Sequence, residues 1–318
     1  MKCRALLLTL FAALIVLAFF ATRTQADPNQ VRYIAPGVWF REGDPDGAGY
    51  CNNVIIEMKD YLIVVDANFP GGAAQVLADC QRISTKPVKY VFDTHHHGDH
   101  AYGNAFWSKN GATTMAFSGV ADEMQRYEPA RWKEAAKKRA DVAATGLAAP
   151  EPPHDLLSKS PYIMKDGTRE VRFYHFGWAH TRGDGFVYLP KERILCTGDA
   201  VVNGPYNFTG DGDLANWPKV IHAAQQLPAD FVLPGHGVAG GKELLEGQAR
   251  FLLDLYKAVE NEVSGGHKLE ELVAADGKST SIKLPDRVKN WVGPSFPAQV
   301  RDAYEEIVGK KPHGDLPH

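Results

Sequence analysis

The run His95, His96, His97, Gly98, Asp99, His100 sets good metal ligands on one short turn. His95 and His97 stand two apart, so two imidazoles can hold one ion. Asp99 and His100 follow at once and can hold a second. Zinc takes neutral imidazole and carboxylate at about 2.0 to 2.2 Å, and a catalytic zinc keeps a position open for water. Two such ions roughly 3.5 to 4 Å apart can share one hydroxide and polarise a substrate oxygen. With 12 histidines in 318 residues, and aspartate taken at about 6%, an H-x-H-x-D-H pattern arises by chance in roughly one such chain in a thousand. The competing reading is a solvated His-rich tract that gathers metal non-specifically. Against it, residues 88–92 just upstream read as a buried strand, and ligands hung on the end of a rigid strand are placed.

Three more ligand types lie beside glycine where strands should end: His180 in 178–184, Asp199 in 197–200 and His236 in 234–237. Taken singly each is weak, since a Gly-Asp pair is usually a turn and a lone histidine usually a satisfied one. Their order after the first motif makes them a set.

The elements that must position these residues can be read from the pattern of apolar runs. Residues 31–41, 50–58, 61–66, 88–92 and 112–117 read as strands, with a helix over 73–83 and another starting near Asp99. Residues 119–144 are charged and helical and lead into an Ala/Pro/Gly linker, so 119–154 reads as an insertion or lid. Strands resume at 170–176, 186–189 and 193–197, then a helix over 213–227, a strand over 230–233 and a long amphipathic helix over 242–263. Two similar series of strands and helices imply an α/β fold, with sheets covered by helices on the outside.

Lys2 and Arg4 precede an apolar run from Ala5 to Ala21, and Thr24, Gln25 and Ala26 offer a small-residue cleavage site. Residues 1–26 therefore read as an export signal, which points to a periplasmic or secreted protein with no stable membrane insertion after cleavage. An uncleaved N-terminal anchor is the alternative. Removing three basic residues and no acidic one moves the formal charge from −3 to −6. A mildly acidic body without a Lys/Arg block argues against nucleic acid as a partner. Hydrophobic residues make up 44% of the chain, ample for one large core. Cys51, Cys80 and Cys196 remain after the signal; a Cys51–Cys80 bridge and three buried thiols both stay open.

The motifs THHHGDH (94–100), HTRGD (180–184), TGDA (197–200) and PGHG (234–237) resemble those of the metallo-β-lactamase fold superfamily, over roughly residues 31–263. The resemblance implies a four-layer αβ/βα sandwich, a catalytic domain over 27–263 and a helical C-terminal appendage over 264–318. It further implies that His95, His97 and His180 hold one Zn²⁺, that Asp99, His100 and His236 hold another, and that Asp199 bridges them. An aspartate at 199 is similar to the hydroxyacylglutathione hydrolase and thioesterase branch and to periplasmic relatives, whereas true β-lactamases carry Cys or Ser there. Histidine at the second motif position, where flavodiiron relatives place Glu, implies zinc over iron.

The implied activity is a metal-dependent hydrolase acting on a small-molecule substrate. A metal-bridging hydroxide would cleave an ester, thioester, lactone or amide bond, with Asp99 as the catalytic carboxylate. The alternatives are a metallo-β-lactamase acting on β-lactam antibiotics and a non-catalytic periplasmic metal-binding accessory protein. Thr94 and Asp66 are candidates to hydrogen-bond ligand imidazoles, and Asp184 to anchor the HTRGD turn. His96 should point away from the ions, toward a neighbouring group or solvent. Arg182 either meets a substrate anion or is exposed. Asn203 and Tyr206 lie on a loop that can overhang the site, Tyr206 as an oxyanion donor or as a packing aromatic.

Overall fold

The computed structural model describes residues 28–44, 47 and 50–311. The expected export signal, residues 1–26, lies outside the described residues. Seven strands form the first sheet in the order β1 (Val31–Ala35), β2 (Val38–Arg41), β3 (Asn53–Glu57), β4 (Leu62–Val65), β5 (Val88–Phe92), β6 (Thr113–Phe117) and β7 (Asp155–Leu157). The second sheet runs β12 (Phe231–Pro234), β11 (Ile194–Gly198), β10 (Phe186–Leu189), β9 (Glu170–Tyr174), β8 (Tyr162–Lys165).

Strand alternation assigns side chains to layers. Val54, Ile56, Ile63 and Val65 meet Val187, Leu189, Ile194 and Cys196 between the two sheets. Their neighbours Ile55, Val64 and Val91 turn outward beneath α1 (Pro70–Ile83) and Trp107 of α3 (Asn104–Lys109). On the other side Tyr188, Leu195 and Val232 pack under α6 (Trp217–Gln225), α7 (Lys242–Ser264) and α9 (Phe296–Ile307). Both faces of each sheet are thus covered, which is why the central strands read as unbroken apolar runs. The layers are helix, sheet, sheet, helix, as the resemblance implied.

The structure corrects several boundaries. Residues 31–41 are two strands, because Gly37 takes φ 71° and turns the chain after Ala35. Strands β7 and β8 escape a sequence reading: each closes an edge of its sheet and is largely exposed, so neither shows an apolar run. The insertion forms α4 (Ser118–Lys138) and α5 (Ala140–Ala143). Trp132 of α4 is buried against Tyr102, ring centroids 4.7 Å apart. The short α2 (Gly98–Ala101) carries the second half of the histidine motif. Beyond α7, α8 (Leu269–Leu272), a 3-10 turn (Asp286–Trp291) and α9 pack into the same core as the second sheet.

Cys51, Cys80 and Cys196 are all buried and free, so the Cys51–Cys80 bridge does not form. Burial pushes all three thiols up, Cys80 to about 12. A thiol raised this far stays protonated at pH 8, so a thiol-reactive disulfide should label none of the three in the folded protein and all three after denaturation. Rapid labelling of native protein would contradict this packing.

Candidate metal centre

Every candidate ligand sits just beyond a strand or on the turn that follows one. Strand β5 delivers His95 and His97, α2 carries Asp99 and His100, β11 leads to Asp199 and β12 to His236. Two glycines let these strand ends converge. A Cβ on Gly235 would collide with the Asp199 carboxylate, and one on Gly198, where φ is 50°, would collide with Thr94.

Hydrogen bonds behind the imidazoles fix which nitrogen faces inward. Asp66 Oδ1 accepts from the Thr94 backbone N–H and hydroxyl, both at 2.8 Å. Having donated its proton, that hydroxyl can only accept from His95 Nδ1, 3.0 Å away. His95 Nε2 is then a lone pair, and it is buried without a partner. Asp66 Oδ2 takes His100 Nδ1–H at 2.9 Å, leaving His100 Nε2 as the inward atom. Asp211 Oδ2 lies 2.8 Å from His97 Nε2 and leaves His97 Nδ1 facing His180 Nε2 at 3.0 Å. His95, His97 and His180 thus present one nitrogen each to a common point.

The second set is built around carboxylates. His236 Nε2 lies 3.1 Å from Asp99 and 3.3 Å from Asp199, and His100 Nε2 lies 3.4 Å from each of the two. The two Nε2 atoms face each other at 3.4 Å. Asp199 also reaches toward the first set, 3.8 Å from His180 Nε2, and its Oδ1 is buried without a hydrogen-bond donor.

The electrostatics of the two sets are opposite. Burial holds His95 and His180 down, with neighbouring imidazoles adding to it, and His180 falls to about 3. Those rings are neutral and ready to ligate. At His236 burial opposes protonation, yet Asp199 and Asp99 outweigh it and hold the ring at about 9. At His100 Asp99, Asp199 and Asp66 likewise outweigh burial. The same pairing drives Asp99 and Asp199 below the usual carboxylate range despite burial. Buried carboxylates require a positive charge beside them, which either imidazole protons or cations can supply. The orphaned lone pairs, the facing ring nitrogens and this charge demand fit two divalent ions.

Of the remaining candidates, Tyr206 stands in the pocket wall, its ring 5.7 Å from that of His236. Arg182 and Asn203 do not reach the pocket. Arg182 lies over the Trp178 ring, 4.4 Å from its centroid, and Asn203 donates to the Val238 carbonyl at 2.9 Å. Asp184 accepts from the Thr181 N–H and hydroxyl and closes its turn. His96 is fully buried, not solvated, with its Nε2 3.3 Å from Asp211.

Asp211 was not singled out in the sequence, where it stands between two glycines like an ordinary turn residue. In the structure it holds His97 and is itself clamped by Arg131 of α4, at 2.6 and 2.9 Å. The insertion helix therefore reaches the metal centre through one carboxylate. Asp211→Asn should weaken the affinity for a divalent metal ion by about 10 to 100-fold, read by competition with a chromophoric chelator. Unaltered binding would remove Asp211 from this role.

Comparison with known proteins agrees with the fold. Residues 46–236 match the family model of the metallo-beta-lactamase superfamily, and the chain belongs to that superfamily. It is 29% identical over 164 residues to a type 2 metallo-beta-lactamase of Bacteroides fragilis, a match over 50% of this chain that spans 57% of that relative's length. A metallo-beta-lactamase structure from Pontibacter korlensis superposes with TM-score 0.58 at 22% identity, covering 71% of this chain and 99% of the other. FIM-1 from Pseudomonas aeruginosa, in its mono-zinc form, gives 0.56 at 24%, covering 72% and 96%.

Proposed function

We propose that this chain is an exported zinc-dependent hydrolase that cleaves an ester, thioester, lactone or amide bond at a dinuclear centre. The observation that carries the reading is the convergence of the two ligand sets on Asp199, with inward lone pairs fixed by Thr94, Asp66 and Asp211. The mono-zinc neighbour and the superfamily match support zinc. Two zinc ions held here would lower the pKa of water toward 7 and set positive charge beside a scissile carbonyl.

The chain's own groups complete the chemistry. Asp99 sits on the pocket wall, ionised and tethered by His236 and His100. From there it orients the attacking water, takes its proton and returns it to the leaving group. One water is consumed, the acyl–heteroatom bond breaks, and an acid and an alcohol, thiol or amine leave.

Asp99→Asn keeps size and a neutral oxygen but loses the base. Wild type should carry close to two zinc ions by elemental analysis, and the variant at least one. Hydrolysis should fall by about 10² to 10⁴. Near wild-type turnover with full metal would make Asp99 only a ligand, and zinc-free protein from zinc-supplemented expression would sink the dinuclear reading.

β-Lactam hydrolysis is the second reading, favoured by the names of the relatives above, and nitrocefin turnover separates it. A purely accessory metal-binding role has no use for an orienting carboxylate on an open pocket.

Export rests on residues 1–26, and no described helix is long and apolar enough to cross a membrane. Mass spectrometry of protein from the native envelope should find Asp27 first; an intact Met1 would favour the anchor.

A further inference from the structure

Among the described residues, three exposed large aromatic side chains, Tyr50, Tyr206 and Phe208, gather on the one pocket that opens over the metal centre, a cavity of about 490 Å³. They stand directly on the candidate ligands. Tyr50 and Tyr206 flank the His236 ring at 5.6 and 5.7 Å, and Phe208 stands edge-on to His97 at 5.3 Å. Phe69 backs Tyr50 at 6.2 Å. Exposed aromatics scattered singly need no explanation, but a ring of them around a reactive centre marks a binding wall.

The cations near this wall are already committed. Arg131, which lines the pocket, gives two hydrogen bonds to Asp211 and one to Glu128 at 3.1 Å. Arg139, over the Phe69 ring, is forked onto Asp141 with both contacts at 3.1 Å. Glu128 adds a carboxylate to the lining.

The wall is also held in place. Asn207, between Tyr206 and Phe208, receives Gln248 at 2.6 Å on its side chain and Gln299 at 2.7 Å on its carbonyl. A fixed apolar wall recognises shape with little ordering cost.

We propose that this pocket selects substrates whose acyl group is uncharged and apolar, aliphatic or aromatic, and disfavours those whose acyl chain carries a carboxylate. The inference rests on the hydrolase reading above and narrows it.

The test uses the zinc-loaded mature protein and p-nitrophenyl esters of acetic, butyric, hexanoic and phenylacetic acid, beside ω-carboxylated counterparts of matched length. The expected result is a kcat/KM that rises about three- to fourfold per methylene on the short esters, with each neutral ester ahead of its carboxylated partner by about tenfold or more. Phe208→Ala and Tyr206→Ala should flatten the dependence on acyl length, mostly through KM, with zinc content retained. Arg131→Met should leave the neutral-to-carboxylated ratio in place even if both rates fall.

Equal or faster turnover of the carboxylated esters, or a loss on Arg131→Met confined to them, would overturn the proposal. If none of the esters turns over, the ester arm of the hydrolase reading fails instead. Calorimetry with matched alkyl ketones then still decides: tighter binding of the uncharged ketone supports the apolar wall, and tighter binding of its carboxylated analogue overturns it.

Discussion

Asp66 takes up a left-handed backbone conformation, φ 70°, at the end of β4, and both of its carboxylate oxygens are committed. One oxygen fixes Thr94, and through it the tautomer of His95; the other fixes that of His100. Those two rings belong to different ligand sets, so a single buried group sets which nitrogen faces inward in each. A carboxylate desolvated this completely is tolerated only when its hydrogen bonds are made. The surrounding strand ends see to that. Asn53 of β3 donates to the Asp66 carbonyl at 2.7 Å, and Asn68 donates to Asn53 at 2.9 Å, so three strand ends are stitched into one rigid corner. Backbone strain held by such a corner is what allows side chains to be aimed rather than merely gathered.

The two ligand sets hang from this corner with opposite charge. His95 and His180 stand beside His97 in a cluster of imidazoles, and burial holds both of those two rings neutral. Around Asp99 and Asp199 the balance reverses, and His100 and His236 hold their protons. A cation entering the first set displaces no proton from His95 or His180. One entering the second replaces protons that the carboxylates hold tightly. The two positions thus differ in local charge, although Asp199 lies beside both.

What the sequence made legible follows from what is local. The H-x-H-x-D-H spacing is a property of six consecutive residues, and strands buried on both faces announce themselves by continuous Val, Ile and Leu. Long-range pairings leave no such trace. Asp211 meets His97 across 114 positions, and Arg131 meets Asp211 across 80. A Gly-Asp-Gly turn gives no hint of either. Arg182 was a candidate because it sits inside a ligand motif, but adjacency along the chain does not give direction. Its guanidinium turns to Trp178 and toward Glu123, 3.9 Å away. Asn203 similarly spends its side chain on the neighbouring turn. Edge strands β7 and β8 lack the second covered face that would have made them readable.

The walls of the pocket are braced differently from its floor. The floor is built by strand ends inside residues 46–236, the stretch that matches the superfamily. The loop bearing Tyr206 and Phe208 lies inside that stretch too, yet its braces do not: Gln248, Trp291, Gln299 and Asp302 all lie beyond it, donating to or accepting from Asn207, Val202 and Thr209. The C-terminal helices thus shape the substrate-facing surface while leaving the ligand geometry to the shared core. It follows that the pocket wall depends on residues outside the stretch that carries the candidate ligands. A change in Gln299 or Trp291, far from any candidate ligand, would be felt first in the position of the pocket wall.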